Sequence, residues 1–316
     1  MLLSLLSLIL ILATRASKAD FVMILVNGSP EEFSNYTIVT YYDFPKCLTY
    51  CSTYIQCVGA YNNGSDSTCI LFNGQQLKSI KRDGYGYKIA YKISNTDLTT
   101  CPVDDTEGGK GYLSIYNGTQ PGYISYVVNY DENEETWNID YSQPLYCPPI
   151  FYRLFVRAAG PWCMRGLSTN SPLMNRNEAA SSNARWNLTL TGIDNEIEYQ
   201  YIEGKAKSSS YSNLSCCNPP LSGFWIDGVR KPECIGNPAC QGLSAFQFSD
   251  PTFSLDPTGY KWNPNQPGVS NTQDCLIYQI NADGTGGIAT APCNSTISTD
   301  GQTSFRGQVL GTRPSP

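Results

Sequence analysis

The pattern of apolar and polar positions predicts a chain built largely from short strands separated by turns. Phe21–Val26 and Phe224–Arg230 are apolar runs with β-branched or aromatic residues, which are typical of buried strands. Asp227-Gly228 is expected to end the second of these strands. Tyr123–Tyr130 and Trp137–Tyr141 predict the two strands of a hairpin, with an acidic, solvated turn at 131–135 between them.

Other segments predict helices and turns. Leu190–Glu198 is interpreted as a helix that closes on a turn, with Gly192 and Asn195 where the backbone bends. Cys47 and Cys51 are four residues apart, so on a helix both would project from one face. Strands and helices together indicate the α+β class.

The N-terminus has the pattern of an export signal. Residues 2–13 are almost wholly apolar, and Ser17-Lys18-Ala19 follows with small residues at the two positions that a signal peptidase reads. We expect a signal peptide at 1–19, cleaved after Ala19, and no membrane insertion of the product afterwards. An uncleaved anchor is the alternative, although the apolar run is short for a bilayer about 30 Å thick.

The cysteines and the glycosylation motifs also indicate a secreted protein. The chain has 13 cysteines, and disulfides persist mainly outside the cell. Because the number is odd, one of Cys101, Cys216 and Cys217 is expected to remain a thiol, and the sequence does not say which. N-glycosylation is predicted where Asn stands two residues before Ser or Thr, at Asn35, Asn63, Asn117, Asn187, Asn213 and Asn294.

Charge and composition exclude several function classes. The formal net charge is −6, and it becomes −8 once Arg15 and Lys18 leave with the signal peptide, so nucleic acid and anionic membranes are not expected partners. The chain has no histidine, which removes the commonest general base and the commonest zinc ligand. With no carboxylate pair in a recognisable motif either, we expect no enzyme, no cofactor and no metal.

The N-terminal region resembles a PAN-like (CW) domain over residues 20–94. The similar features are Cys47, Cys51, Cys57 and Cys69 together with a closing segment at 88–92. Four cysteines allow three pairings, and the resemblance implies Cys47–Cys69 and Cys51–Cys57. It also implies a non-catalytic module that either binds proteins or carbohydrates or only serves as a spacer. Residues 95–146 resemble no family and are interpreted as a β-rich connector.

Residues 147–316 resemble a C-type lectin-like domain of the kind found in nematode secreted proteins. The similar elements occur in the family's order, from Cys147-Pro148 through 190–198, 224–230, 246–250 and Gln266-Pro267 to Cys293. The resemblance implies mixed, mostly antiparallel strands with two helices. It further implies three disulfides, which are Cys147–Cys163, Cys234–Cys240 and Cys275–Cys293.

One family disulfide is missing. Its first cysteine would align with Asn183, four residues after Ala179, and its second with Leu310 in the closing strand. Because both partners are absent together, neither is left as a free thiol. The alignment implies that Asn183 and Leu310 lie within or near disulfide distance, roughly 4.4–6.8 Å between Cα atoms.

The family's calcium–sugar ligands are largely replaced. Gly268 follows Gln266-Pro267 where the family has a side-chain oxygen, Gln273 replaces an acid, and 289–292 lacks the Trp-Asn-Asp motif. Because calcium takes six to eight oxygen ligands, we expect this site to be absent. The candidate ligand contacts are Gln266, Asn271 and Asp274, with Gln266-Pro267 as a turn the alternative, and Trp262 is expected in the core.

These features predict a secreted, non-catalytic recognition protein that binds a glycan or protein ligand without calcium. Two alternatives remain. One is a calcium-dependent lectin with a noncanonical site built from Asp250, Asp256, Asp274 and Asp283. The other is a structural extracellular or mucus component in which both modules only pack and link.

Overall fold

The structure is a computed structural model, and it describes residues 21–40, 43–64, 68–94, 108–149, 152–168, 173–181, 187–211, 221–254, 256–272, 274–281 and 285–316. The predicted signal peptide, Asn183, Cys101, Cys216 and Cys217 lie outside these ranges. The helices are α1 (Phe44–Thr53), α2 (Arg176–Ser181) and α3 (Glu196–Tyr211). The strands are β1 (Phe21–Phe33), β2 (Thr37–Thr40), β3 (Cys57–Asn62), β4 (Thr68–Asn73), β5 (Leu77–Arg82), β6 (Lys88–Ser94), β7 (Gly109–Asn117), β8 (Gln120–Asp131), β9 (Thr136–Tyr141), β10 (Leu145–Tyr146), β11 (Arg153–Arg157), β12 (Gly160–Ser168), β13 (Thr189–Leu190), β14 (Leu221–Arg230), β15 (Phe246–Gln247), β16 (Asp274–Ile280), β17 (Gly286–Pro292) and β18 (Thr303–Thr312).

The chain divides into two compact units. The first comprises the described residues of Met1–Leu113 together with Ser125–Ser142, and the second comprises Ser114–Ile124 and Gln143–Pro316. The helices within the described ranges are too short or too polar to cross a membrane.

The first unit is an antiparallel sheet with α1 packed on it. Its strand order runs β9-β5-β1-β6-β3-β4-β2, and the Tyr126–Asp131 part of β8 pairs with β9. That pairing is the hairpin predicted from the sequence. Asp43 begins α1 by accepting a hydrogen bond from the Lys46 N–H at 2.9 Å.

Cysteines hold α1 against the sheet. Cys47 and Cys51 are both fully buried on the inner face of the helix, as their spacing of four predicts. Cys47 is bonded to Cys69 and Cys51 to Cys57, which are the two pairs that the resemblance implies. For a module of this size, whose core alone gives marginal stability, such crosslinks supply part of the folding free energy.

A buried lysine closes the end of α1. The Nζ atom of Lys92, on β6, donates to the carbonyl oxygens of Cys51 at 3.0 Å and Tyr54 at 2.7 Å. Its charge therefore lies at the negative end of the helix dipole, and 4.9 Å from the centroid of the Phe21 ring. Burial nevertheless lowers the pKa of Lys92 to about 8, because desolvation disfavours the charged form.

The second unit is built on a mixed sheet. Its strand order is β11-β12-β18-β14-β16-β17, with β13 paired to β18 and β15 paired to β14. The β14–β18 pair is parallel, whereas the other described pairs are antiparallel. Since β14 is central, its apolar run is buried on both faces, as the sequence predicts for Phe224–Arg230.

Successive residues of β14 enter two different cores. Phe224 and Ile226 pack with Tyr199 and Ile202 of α3 on one face of the sheet. Trp225 packs on the other face with Phe305, and their ring centroids are 4.6 Å apart. The period of two in a strand therefore explains how one segment supports both layers.

Two local predictions are corrected. Leu190–Glu198 does not form a helix that closes on a turn, because Leu190 ends β13 and α3 begins only at Glu196. The side chain of Asn195 accepts a hydrogen bond from the Glu198 N–H at 3.0 Å, so Asn195 caps the start of a helix. Asp227-Gly228 does not end β14. The strand bulges there, with Gly228 at a φ of 134°, and continues to Arg230.

Candidate ligand-binding site

The loop between Trp262 and β16 begins with a fixed turn. The Gln266–Pro267 peptide bond is cis. The Oε1 atom of Gln266 accepts hydrogen bonds from the Thr290 N–H at 3.0 Å and the Thr290 hydroxyl at 2.9 Å. The side-chain carbonyl that could contact a ligand is therefore already engaged with β17.

A buried arginine fixes the second half of the same loop. Arg230, at the end of β14, donates from Nη2 to the Gly268 carbonyl oxygen at 2.8 Å. The same Nη2 lies 3.6 Å from Oδ2 of Asp274, the first residue of β16. The guanidinium also packs 5.0 Å from the centroid of the Phe246 ring. With side-chain exposures of 1% for Arg230 and 8% for Asp274, the pair is shielded from solvent.

These contacts do not fit a calcium ion at the family's position. The carboxylate before Cys275 faces the positive charge of Arg230, and its other oxygen accepts from the Thr272 hydroxyl at 3.2 Å. Calcium needs several anionic oxygens to replace its hydration shell. Within the described parts of the chain, no three acidic or cysteine side chains lie together as metal ligands.

The described acids of the noncanonical calcium alternative, Asp250, Asp256 and Asp274, do not share one set of contacts. Asp250 is buried against Arg157, and the Nη1 atom of Arg157 lies 2.8 Å from the Oδ2 atom of Asp250. Asp274 pairs instead with Arg230, and Asp256 is exposed. Asp283 lies outside the described residues. Asp250 and Asp274 therefore serve two separate arginines and do not form one site.

The Arg157 cluster holds strands and helix together. Arg157 donates to both carboxylate oxygens of Glu198, at 2.7 and 2.8 Å, and to the Gly192 carbonyl oxygen at 3.0 Å. It also reaches the Thr252 hydroxyl at 2.9 Å. All the side chains of this cluster are buried, so charge compensation and hydrogen bonds within it replace those to water. Its role is structural.

The three sequence-predicted contact residues therefore have different environments. Asp274 is buried and ion-paired, and Gln266 is half-buried and hydrogen-bonded to Thr290. Asn271 is exposed, next to Thr272, and Val269 on the same loop is 59% exposed. Among the described residues of this loop, exposed side chains include those of Asn265, Val269, Asn271 and Thr272, which we call the loop rim.

Trp262 contributes to the core rather than to the rim. It packs against the α3-side core, with its ring centroid 5.9 Å from that of Tyr260 and 6.2 Å from that of Phe246. Sequence reasoning placed Trp262 in this way, but it missed Arg230 and Arg157. For Arg230, its place at the end of the predicted buried strand Phe224–Arg230 was the available signal.

The lectin-like unit contains the disulfides Cys147–Cys163, Cys234–Cys240 and Cys275–Cys293. Leu310 is buried in β18 and pairs with Leu190, while its proposed neighbour Asn183 lies outside the described residues. The predicted glycosylation positions that the structure describes are all exposed, and they are Asn35, Asn63, Asn117, Asn187 and Asn294. Asn213 lies outside the described ranges.

Comparison with known proteins identifies both modules. A family model for a PAN-like domain matches residues 23–93, and one described as C-type lectin domain-containing protein 141/158 matches residues 156–310. No curated protein matches the chain. A solved structure described as a complex of SPL-1 with GlcNAc aligns with 52% of this chain and 93% of its own, at 15% identity and a TM-score of 0.34.

The two family matches support a binding role more than a catalytic one. A C-type lectin domain favours a carbohydrate- or ligand-binding protein that is not an enzyme. Disulfide-rich PAN-like and lectin domains are also consistent with an extracellular location. The chain carries a PAN-like domain followed by a C-type lectin domain of the 141/158 family.

Proposed function

We propose that this protein is a secreted, N-glycosylated recognition protein whose lectin domain binds a glycan or protein ligand without calcium and without catalysis. The loop rim is the proposed contact surface, with Asn271 as its central polar group. The exposed asparagine and threonine side chains offer amide and hydroxyl groups, which can donate and accept hydrogen bonds with sugar hydroxyls or peptide groups.

The contact of Arg230 with both Gly268 and Asp274 carries this proposal. Calcium in such a loop would link backbone and carboxylate oxygens from separate segments. Here a guanidinium links a carbonyl oxygen and a carboxylate oxygen at 2.8 and 3.6 Å. Because arginine stays charged at all physiological pH values, the loop keeps its geometry without a divalent ion.

Glycan-array binding, with and without a chelator, tests the proposal. We expect the same glycans to be bound in millimolar calcium and in EDTA, and binding to be weakened by Asn271→Ala. Asn133→Ala is the matched control, because Asn133 is also an exposed asparagine but lies in the first unit. Binding only in calcium would instead identify a calcium-dependent lectin. A blank array combined with self-association would favour a structural component.

The division of the chain is part of the same proposal. We place the signal peptide at 1–19, the PAN-like domain at 20–94, the connector at 95–146 and the lectin domain at 147–316. N-terminal sequencing of secreted protein should begin at Asp20. Limited proteolysis that separates the two domains should cut first within the connector, and first cleavage inside 20–94 or 147–316 would contradict these boundaries.

A further inference from the structure

A group of cations lies on one side of α3, in a chain whose net charge is −6. Arg153 begins β11, Arg165 lies on the adjacent strand β12, and Lys205 lies on α3. Arg153 and Lys205 are exposed, and Arg165 is half-buried. We call these three residues, with Tyr152 and Tyr201, the cationic surface.

An aromatic ring lies beside each of the three cations. The guanidinium carbon of Arg153 and the Nζ atom of Lys205 lie 5.8 and 5.7 Å from the centroid of the same ring, Tyr201. The guanidinium carbon of Arg165 lies 5.8 Å from the centroid of Tyr152. Burial raises the pKa of Tyr201, and a hydrogen bond with the Gly166 backbone and the charges of Arg153 and Arg165 oppose that rise.

The ring of Tyr201 packs against the core of the second unit. Its centroid is 5.5 Å from that of Phe155, a buried residue of the core between the sheet and α3. Lys205 sits close to β12 because residue 166 is glycine, where a Cβ atom would be 3.3 Å from the Lys205 Cβ atom. The cations therefore project from a rigid base, which reduces the conformational entropy lost on binding.

The acids of α3 are engaged elsewhere. Glu196 pairs with Lys261 at 2.8 Å, and Glu203 pairs with Lys207 at 3.0 Å. Glu198 is buried against Arg157. The described carboxylates of α3 are therefore paired with cations outside the cationic surface.

We propose that the cationic surface binds a sulfated or uronic-acid-containing oligosaccharide. Guanidinium groups pair with sulfate and carboxylate oxygens in a two-pronged geometry, and an ammonium group adds a point charge. Tyrosine rings offer flat apolar area with a polar hydroxyl, suited to the mixed surface of a sugar ring. The positive charges favour an anionic ligand, and the rings of Tyr152 and Tyr201 favour a saccharide among anionic ligands.

The size of the ligand follows from the overall charge. Electrostatic interactions are screened beyond about 8 Å at physiological salt, so a short anionic oligosaccharide responds mainly to the local cations. A long polyanion such as nucleic acid would also meet the acidic remainder of the chain. This surface goes beyond the loop rim and does not depend on it.

Calorimetric titration of the full-length protein with a heparin-derived tetrasaccharide tests this proposal. We expect Arg153→Gln/Lys205→Gln to raise the Kd at least tenfold. The control is Lys78→Gln/Lys110→Gln, which changes the net charge equally but alters exposed lysines of the first unit, and should change the Kd less than twofold. Arg153→Lys should give an intermediate Kd, because it keeps the charge and loses the planar fork.

Several results would overturn the proposal. These are no binding by the unaltered protein, equal weakening by the control pair, or equal affinity for a fully desulfated tetrasaccharide of the same length. Equal affinity for an acidic peptide would also overturn it, because the rings of Tyr152 and Tyr201 would then give no preference for a saccharide over a peptide. Unchanged thermal unfolding shows that the variants fold. Asn271→Ala should leave this binding intact, so failure of the loop rim and failure of this surface are separable.

Discussion

Exchanging Arg230 and Asp274 for apolar residues tests whether this ion pair fixes the lectin loop. At 3.6 Å and an effective dielectric constant of about 20, their attraction is about 4–5 kcal/mol before desolvation is counted. Arg230→Met would leave the buried carboxylate with only the Thr272 hydroxyl and would leave the Gly268 carbonyl oxygen without its donor. We expect this variant to lose about 3–5 kcal/mol of unfolding free energy.

Removing both charges should cost much less than removing one. Asp274→Leu alone leaves the guanidinium buried with the Gly268 carbonyl oxygen as its hydrogen-bond acceptor, and should also be strongly destabilising. Arg230→Met/Asp274→Leu leaves no uncompensated charge, and replacing a buried pair by apolar groups is often near neutral. The double-mutant cycle should therefore show a coupling of at least about 2 kcal/mol.

Urea unfolding with the disulfides intact, followed by tryptophan fluorescence, measures all four proteins. A coupling below about 0.5 kcal/mol would refute the assigned role of the pair, since sites that do not interact add within that range. Calcium provides a second check. A bound ion at a hundred times its Kd would stabilise the native state by about 2.7 kcal/mol, and we expect no shift between millimolar calcium and chelator.

Three further predictions concern stability. The pKa of Lys92 is about 8 in the folded protein, whereas the ordinary lysine value of 10.5 applies to the unfolded chain. Between these values the unfolded chain holds more protons, so the free energy of unfolding should rise by about 2 kcal/mol from pH 7.5 to 9.5. Urea unfolding of thiol-blocked protein measures this slope, which Lys92→Met should abolish. Cys275→Ala/Cys293→Ala opens a link across 18 residues and should cost about 3 kcal/mol by the same assay, whereas a loss below about 1 kcal/mol would contradict the chain-entropy argument. Arg157→Met leaves buried carboxylates uncompensated and should lower the free energy of unfolding by at least about 3–5 kcal/mol. The control is Arg153→Met, at an exposed position, which should change the free energy of unfolding by less than about 0.5 kcal/mol. Equal effects of the two variants would contradict the burial argument.

The strands of the lectin domain were predictable where burial follows from composition alone. Phe224–Arg230 is apolar enough to be central in a sheet, and it forms β14 with both faces covered. The spacing of Cys47 and Cys51 also predicts one buried helix face correctly. In these cases, the local sequence pattern and the tertiary packing favour the same backbone conformation.

The segment Leu190–Glu198 shows where local pattern is insufficient. Gly192 and Asn195 correctly indicate a bend, but asparagine is favoured both at turns and at the start of helices. The hydrogen bond from the Glu198 N–H to Asn195, together with the start of α3 at Glu196, shows that the helix follows the bend. The order of turn and helix depends on which backbone groups need a partner, and this is decided by the contacts of α3 with the sheet.

Contact residues were harder to predict because exposure depends on remote partners. Asp274 has the composition and position of a ligand contact, yet it is buried by an arginine 44 residues earlier in the chain. Nothing near Asp274 in the sequence identifies that partner. Asn271, three residues away, is exposed, so neighbours in one predicted loop have opposite roles.

Arg157 and Arg230 use the same physical device at two places in the lectin domain. Arg157 joins the Gly192 carbonyl oxygen to the carboxylates of Glu198 and Asp250, and Arg230 joins the Gly268 carbonyl oxygen to the carboxylate of Asp274. A guanidinium is held by covalent bonds to the chain and cannot dissociate, unlike a divalent ion. We therefore expect the loop geometry not to depend on calcium concentration, so that a ligand at the loop rim would meet the same surface whether or not calcium is present.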